Sequence, residues 1–203
     1  MAAAMMKNRD DATTTAPDTP KRGETLRRTV GEFLRLALIA AAIALPIRYF
    51  VAQPFVVDGA SMEPNFHNGQ YLVIDELSYF LREPKRGEVI VFRFPGNSKV
   101  HYIKRVIGLP GETVEIRDGA VFILNAEQPE GSRLSEPYLP TDTRIAGNFR
   151  FTLREREYVV LGDNRRESSD SRSWGVLDRK LVTGRAIFRA WPPGAFGPVA
   201  GAS

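Results

Sequence analysis

Seven short runs rich in β-branched and aromatic residues dominate the chain after residue 69: QYLVID (70–75), EVIVFRF (88–94), VHYIKRVIG (100–108), TVEI (113–116), VFILN (121–125), EYVVLG (157–162) and RAIFRAW (185–191). Each has the length of a strand and is bounded by Gly, Pro or Asp, which turn the chain rather than continue it. Lys85-Arg86-Gly87, Pro95-Gly96-Asn97, Pro110-Gly111 and Asp118-Gly119 supply the reversals. No βαβ rhythm and no GxGxxG interrupts the series, so a nucleotide-binding α/β fold is not indicated. The runs predict an all-β domain over residues 58–199. The Pro-, Ser- and Gly-containing stretch 126–148 is expected to leave the core as a small β excursion or flap. At 203 residues and 43% hydrophobic content, the chain has enough for one core and not comfortably for two.

The N-terminal part is of another kind. Residues 1–32 are polar and turn-rich, with KNRDDATTTAPDTPKRGE at their centre. They carry too few apolar groups to form a core, which predicts a disordered tail. From Leu36 to Ile47 the sequence LALIAAAIALPI has no charge. It is short of a full span by itself, but continues toward Val57 with Arg48 placed where it can snorkel to headgroups. The expectation is a single transmembrane helix from Phe33 to Phe50, with 33–57 as helix plus exit segment. A buried or interfacial helix is the alternative. Arg22, Arg27, Arg28 and Arg35 precede the run, and no Lys or Arg falls between Asp58 and Leu81. The positive-inside rule then predicts a cytoplasmic N-terminus and an extracytoplasmic remainder.

Composition removes several chemistries. There is no cysteine, so disulfides, thiol catalysis and Cys-ligated metals are excluded. His67 and His101 are the two histidines, far apart and outside any HExxH pattern, so no metal is expected. The formal charge of +4 is spread out, with neither zinc-finger spacing nor a long basic block, so no nucleic-acid partner is expected.

Three features ask for chemistry. Ser61 stands in DGASMEP, framed by Gly, Ala and Pro, where the chain leaves the apolar segment. It is a helix-ending turn or a nucleophile. Lys104 lies in VHYIKRVIG, where alternation puts Tyr102, Lys104 and Val106 on one face and Ile103, Arg105 and Ile107 on the other. One of the two cations is expected at a rim or inside. A desolvated lysine favours its neutral form and can take a proton from a serine hydroxyl. An exposed edge lysine that discourages sheet association is the alternative. Finally GDNRRESSDSRSWG (162–175) packs Asp, Asn, Arg and Ser densely after a strand. It is either a solvated loop held by Asp–Arg pairs or a loop that carries polar groups into a site.

Four blocks in this order, QPFVVDGASMEPNF, RGEVIVFRFP, YIKRVIGLPGE and GDNRRESSDSRSWG, make the chain resemble the bacterial type I signal peptidases, or leader peptidases. The resemblance runs from about Leu36 to the FRAWPP at 188–193. It implies a mostly β fold: a signal-peptidase-type catalytic domain behind one transmembrane helix in the bacterial cell (inner) membrane. It implies a Ser-Lys endopeptidase that cuts signal peptides from exported preproteins after small residues of Ala-x-Ala type, without cofactor or metal. Ser61 corresponds to the nucleophile and Lys104 to the general base. Ser168 corresponds to a hydroxyl that orients the lysine, Asp170 and Arg172 to supporting residues, and Asp163 with Arg105 to a structural pair.

Gly59 replaces a serine that assists the oxyanion in some members, leaving more of that role to the Ser61 N–H. Asn65-Phe66 replaces the commoner Thr-Leu. Phe66 and Val91 are candidates for the substrate pocket. Expected partners are preprotein signal peptides, a phospholipid surface touched by Trp191 and Phe196, and a nearby secretion translocon. A processing peptidase with one dedicated client and an inactive membrane-anchored binding protein are the rival functions.

Overall fold

The computed structural model describes residues 22–46 and 53–199. The chain divides into two units, residues 1–44 and 45–203. α1 (Arg22–Pro46), which belongs to the first unit up to Ala44, is a single helix of 25 residues. It includes Arg22–Glu32, where a polar tail was expected, and the rest of that tail, residues 1–21, lies outside the described residues.

No helix among the described residues is long and apolar enough to cross a membrane. The expected transmembrane helix is thereby corrected, and so is the single-pass topology with cytoplasmic N-terminus and extracytoplasmic domain. The physical reason lies in the charges and in the stop. Glu32 and Arg35 sit within α1, and the uncharged helical run after Arg35 ends at Pro46. At ~1.5 Å per residue that run rises roughly 16 Å, against about 30 Å of hydrocarbon. Residues 47–50 of the expected helix and 51–52 of the exit segment lie outside the described residues.

The second unit is mostly β. Its main sheet contains β1 (Gln53–Val56), β2 (Tyr71–Asp75), β3 (Val89–Phe94), β4 (Asn97–Gly108), β9 (Glu157–Leu161), β10 (Leu177–Asp178) and β11 (Val182–Trp191), in the order β1-β2-β11-β3-β4-β9-β10. β12 (Gly197–Pro198) pairs with β11 off this path. All pairs in the main sheet are antiparallel. A second sheet, in the order β7-β6-β5-β8, holds β5 (Thr113–Arg117), β6 (Ala120–Leu124), β7 (Ser132–Arg133) and β8 (Phe149–Thr152). The seven strand runs read from sequence correspond to β2, β3, β4, β5, β6, β9 and β11. The short helices α2 (Ser78–Leu81) and α3 (Ser171–Trp174) interrupt the strands.

Alternation is clear where one face is solvated, as in β5 and β6, whose buried members are Val114, Ile116, Val121 and Ile123. β9 reads as a continuous apolar run because it is buried on both faces. β4 lies between β3 and β9 in the main sheet and packs against the second sheet near its end. Its first part pairs with β3, and its last residues pair with β9. Ile107, near its end, is fully buried in the cluster that also takes Val114, Ile116, Val121, Val159 and Leu161.

Truncating that side chain tests this junction. Ile107→Ala should cost about 3 kcal/mol, within the usual range for emptying a buried aliphatic site. Urea unfolding should show a lower midpoint with an unchanged slope.

Candidate active site

The turn after β1 carries Ser61, and β4 brings Lys104 to it. Lys104 Nζ donates to Ser61 Oγ at 2.8 Å and to the Ile103 carbonyl at 2.8 Å. Lys104 is 3% exposed, although β4 runs through an edge region of the sheet. Burial drives its pKa down from 10.5 to about 8, against the opposing pull of the Asp170 and Asp163 charges. An amine held this way is neutral in roughly a tenth of molecules at pH ~7, against well under one in a thousand for an exposed lysine, and that fraction can accept a proton.

Arg105, the other cation of this stretch, is buried too, at 1% exposed. It faces away from Lys104 and forms a two-pronged ion pair with Asp163: Nε to Oδ1 at 2.8 Å and Nη2 to Oδ2 at 2.6 Å. Its Nη1 donates to the Gly87 carbonyl at 2.7 Å. Asn65 Nδ2 adds a donor to Asp163 Oδ2 at 2.8 Å.

The loop after β9 closes over these groups. Asp170 caps α3 and accepts from Arg172 Nε and Nη2, both at 2.8 Å, and from the Gly162 N–H at 3.0 Å. The pKa of Asp170 is lowered: burial pulls it up, but hydrogen bonds from Arg172 and Gly162 and the Arg172 charge outweigh that pull. Arg172 Nη1 reaches the Arg165 carbonyl at 2.7 Å. The N–H of Asn164 donates to the Ser61 carbonyl at 3.1 Å, and its side chain donates to the Ala60 carbonyl at 3.2 Å.

Gly162 sits where these contacts meet. A Cβ there would lie 2.2 Å from Ser168 Oγ and 2.4 Å from the Ser61 carbonyl oxygen. No side chain fits, because one of the two neighbours is backbone. Ser168 Oγ therefore lies over Gly162 beside Ser61. It is buried, it faces the Asp170 carboxylate closely enough to help lower that group's pKa without meeting full hydrogen-bond geometry, and Lys104 Nζ does not donate to it. Gly59 has φ +88° and donates its N–H to Asn68 Oδ1 at 2.9 Å. Its N–H is thus engaged in shaping the turn.

A groove of about 320 Å³ opens at Ser61 and Lys104, lined by Phe55–Asp58 on one side and Val100–Ile103 on the other. Val91 and Leu72 form part of its floor. Phe66 does not line it; that ring is buried in the core with Met62 and Leu72. The groove lies between two unpaired strand edges. β1 ends the sheet, and residues 101–104 of β4 pair with β3 but with no strand on their other side among the described residues.

Asn65, Asn164 and Arg165 escape sequence reasoning as site residues. The departure Asn65-Phe66 was the one available signal for Asn65. Arg165 stands in a dense Asp-Asn-Arg-Ser loop in which spacing alone singles out no arginine. Among the described residues there is no cluster of His, Asp and Glu able to hold a metal.

A family model described as "Signal peptidase, peptidase S26" matches residues 30–191. The chain is 35% identical over 185 residues to signal peptidase I of Bacillus licheniformis, covering 86% of this chain and 95% of that one. It is 36% identical over 166 residues to the probable signal peptidase I-2 of Synechocystis sp., covering 79% and 73%. A solved signal peptidase I from Enterococcus faecalis V583 is 35% identical, covers 51% of this chain and 97% of that chain, and superposes with a TM-score of 0.43. The chain belongs to the signal peptidase family, peptidase S26. It is a membrane-associated serine endopeptidase of the kind that cleaves signal peptides.

The depressed Lys104 pKa has a consequence for stability. The unfolded chain binds this proton more tightly than the folded one, so stability rises with pH between about 8 and 10.5. Below that window the penalty is fully present, at about 3 kcal/mol for ~1.4 kcal/mol per tenfold in proton affinity. Lys104→Met should therefore melt higher than the wild type near pH ~7, with the gap closing toward pH ~10. The gain stays under the full penalty, because Ser61 Oγ and the Ile103 carbonyl lose a donor. Thermal melts at both pH values check the sign.

Proposed function

We propose that Ser61 is the nucleophile and Lys104 the general base of the peptidase. The observation that carries this is the 2.8 Å bond between Lys104 Nζ and Ser61 Oγ, made by an amine with a pKa of about 8. Lys104 takes the Ser61 proton as Oγ attacks the scissile carbonyl. The resulting ammonium protonates the leaving amine, and the same lysine then activates the water that releases the acyl group. The N–H of Ser61, which donates to no acceptor among the described residues, is the donor for the oxyanion. Gly59 contributes by turning the chain there. Asp170 and Arg172 hold the loop that keeps water from Lys104, and Ser168 presents a hydroxyl beside Gly162. Arg105 and Asp163 fix that loop to β4.

The substrate is the extended segment that precedes the cut. Its backbone pairs with the open edges at Phe55–Asp58 and His101–Lys104, in the manner of a strand added between two others. Apolar walls of Val57, Leu72, Val91 and Ile103 leave room for small side chains, in keeping with Ala-x-Ala. Mutating both reacting groups tests the assignment. Ser61→Ala and Lys104→Ala should each abolish cleavage of a preprotein with folding intact. Wild-type kcat/KM should rise with pH through a midpoint near 8, as Lys104 loses its proton. Activity that survives Lys104→Ala, or a profile flat through that midpoint, would remove lysine from the role of base.

The lipid surface is met by a cluster of exposed apolar groups. Val56 and Trp191 both pair with Tyr71 across the sheet, so the three share one face at one end. Trp191 is 54% and Phe196 67% exposed. Such rings suit the headgroup region, and a site resting there would lie near preproteins emerging from the translocon. The variant Trp191→Ser/Phe196→Ser should float less with phospholipid vesicles than the wild-type chain while cleaving a short soluble peptide equally well.

A further inference from the structure

Glu136 lies on the excursion, between β7 and β8 and far in sequence from both Ser61 and Lys104. Its carboxylate accepts from both terminal nitrogens of Arg165, with Nη1 at 3.0 Å from Oε2 and Nη2 close to Oε1. The Arg165 side chain is 2% exposed, so its charge has almost no recourse to water. The same guanidinium donates through Nε to the Gly162 carbonyl at 3.1 Å, and the Arg165 carbonyl accepts from Arg172. Gly162 is thus held from both ends, at its carbonyl by Arg165 and at its N–H by Asp170.

A second strand of the same latch runs through Tyr138. Its hydroxyl donates to Glu136 Oε1 at 2.7 Å, its carbonyl accepts from Asn65 Nδ2 at 2.8 Å, and its ring covers the Arg105 guanidinium at 3.9 Å. The segment 136–138 therefore touches the Ser61 turn, the Arg105–Asp163 pair and the loop after β9 at once.

We propose that Glu136 is a positioning residue for the hydrolysis: through Arg165 it fixes the backbone of Gly162 and Asn164 against the Ser61 turn, making the excursion a latch on the active site. The proposal rests on the assignment of Ser61 and Lys104 above. Without Glu136, Arg165 is a buried cation with no carboxylate bonded to it and only the Asp163 charge nearby, and it must leave its place or destabilise the fold. If it leaves, the Gly162 carbonyl and the Asn164 contact to Ser61 lose their anchor. Water then reaches Lys104, and its pKa moves back toward that of an exposed lysine. The charged groups that face Lys104, Asp163 and Asp170, pull in the same direction.

The full chain tests this with Glu136→Gln, Glu136→Leu and Glu136→Leu/Arg165→Met on one preprotein, with Lys104→Ala alongside. The double variant removes both partners, so no orphaned charge remains and its melting temperature should return toward that of the wild type. Its kcat should nevertheless stay down about tenfold or more with KM changed less than about twofold, as for a lost transition-state geometry. The acid limb of its pH profile should move to higher pH, and Glu136→Gln, which keeps the shape and one acceptor, should fall between. Recovery of kcat together with stability in the double variant, on an unmoved pH profile, would reduce Glu136 to a structural role and overturn the proposal. Wild-type-like cleavage by Lys104→Ala would instead overturn the Ser-Lys assignment, and the latch with it.

Discussion

The ion pair between Arg105 and Asp163 is the contact on which the rest of the site depends. Both groups are out of water, and both carboxylate oxygens are engaged by the guanidinium. A buried pair of this kind adds little net stability over an apolar replacement, but losing one partner costs about 3–5 kcal/mol. It therefore acts as a demand that two segments stay in one register. Here the segments are β4, which carries Lys104 one residue earlier, and the loop after β9, which covers that lysine. The strand's alternation sends its two cations to opposite faces. One face carries the brace and the other the amine that meets Ser61.

Gly162 shows how closely the loop approaches. Its missing side chain lets the Ser61 carbonyl and Ser168 Oγ occupy space where a Cβ would be. Its N–H and carbonyl are taken by Asp170 and Arg165, so the peptide planes on either side are set by side chains that are themselves buried and paired. The low dielectric that lowers the Lys104 pKa is produced by this packing, and so are the strong charge-assisted bonds that sustain it. Precision and reactivity come from the same exclusion of water.

Sequence carried the strands and put forward Ser61 and Lys104, which the fold brings together, and it failed where burial and partner choice decided. β3, β4, β9 and β11 were legible because β-branched and aromatic runs end at Gly, Pro and Asp. Gln53–Val56 was hidden, because QPFV reads as the end of an apolar segment and only its pairing with Tyr71–Ile74 makes it a strand. α1 misled in the other direction. LALIAAAIALPI suggests a span, yet the helical part of it is short and Glu32 and Arg35 precede it closely. Alternation said that Lys104 and Arg105 point oppositely, but not that both are buried. The resemblance to signal peptidases named Ser61, Lys104, Ser168, Asp170 and Arg172. Glu136, Tyr138 and Asn65 stayed out of view because their contacts join parts of the chain that no local pattern relates.

If substrate pairs with the two open strand edges beside Ser61 as proposed, they choose it by the state of its backbone before any side chain is read. A helix spends its carbonyls and amides internally, and a folded strand has already given its own away. Neither has anything to offer a gap that asks for hydrogen bonds on two sides. A chain can enter only where it is locally unspoken for, so a cleavage sequence inside a finished domain is invisible here. The groove thus keeps time as well as specificity: it accepts a junction while it is still unstructured and ignores the same residues once the product has folded.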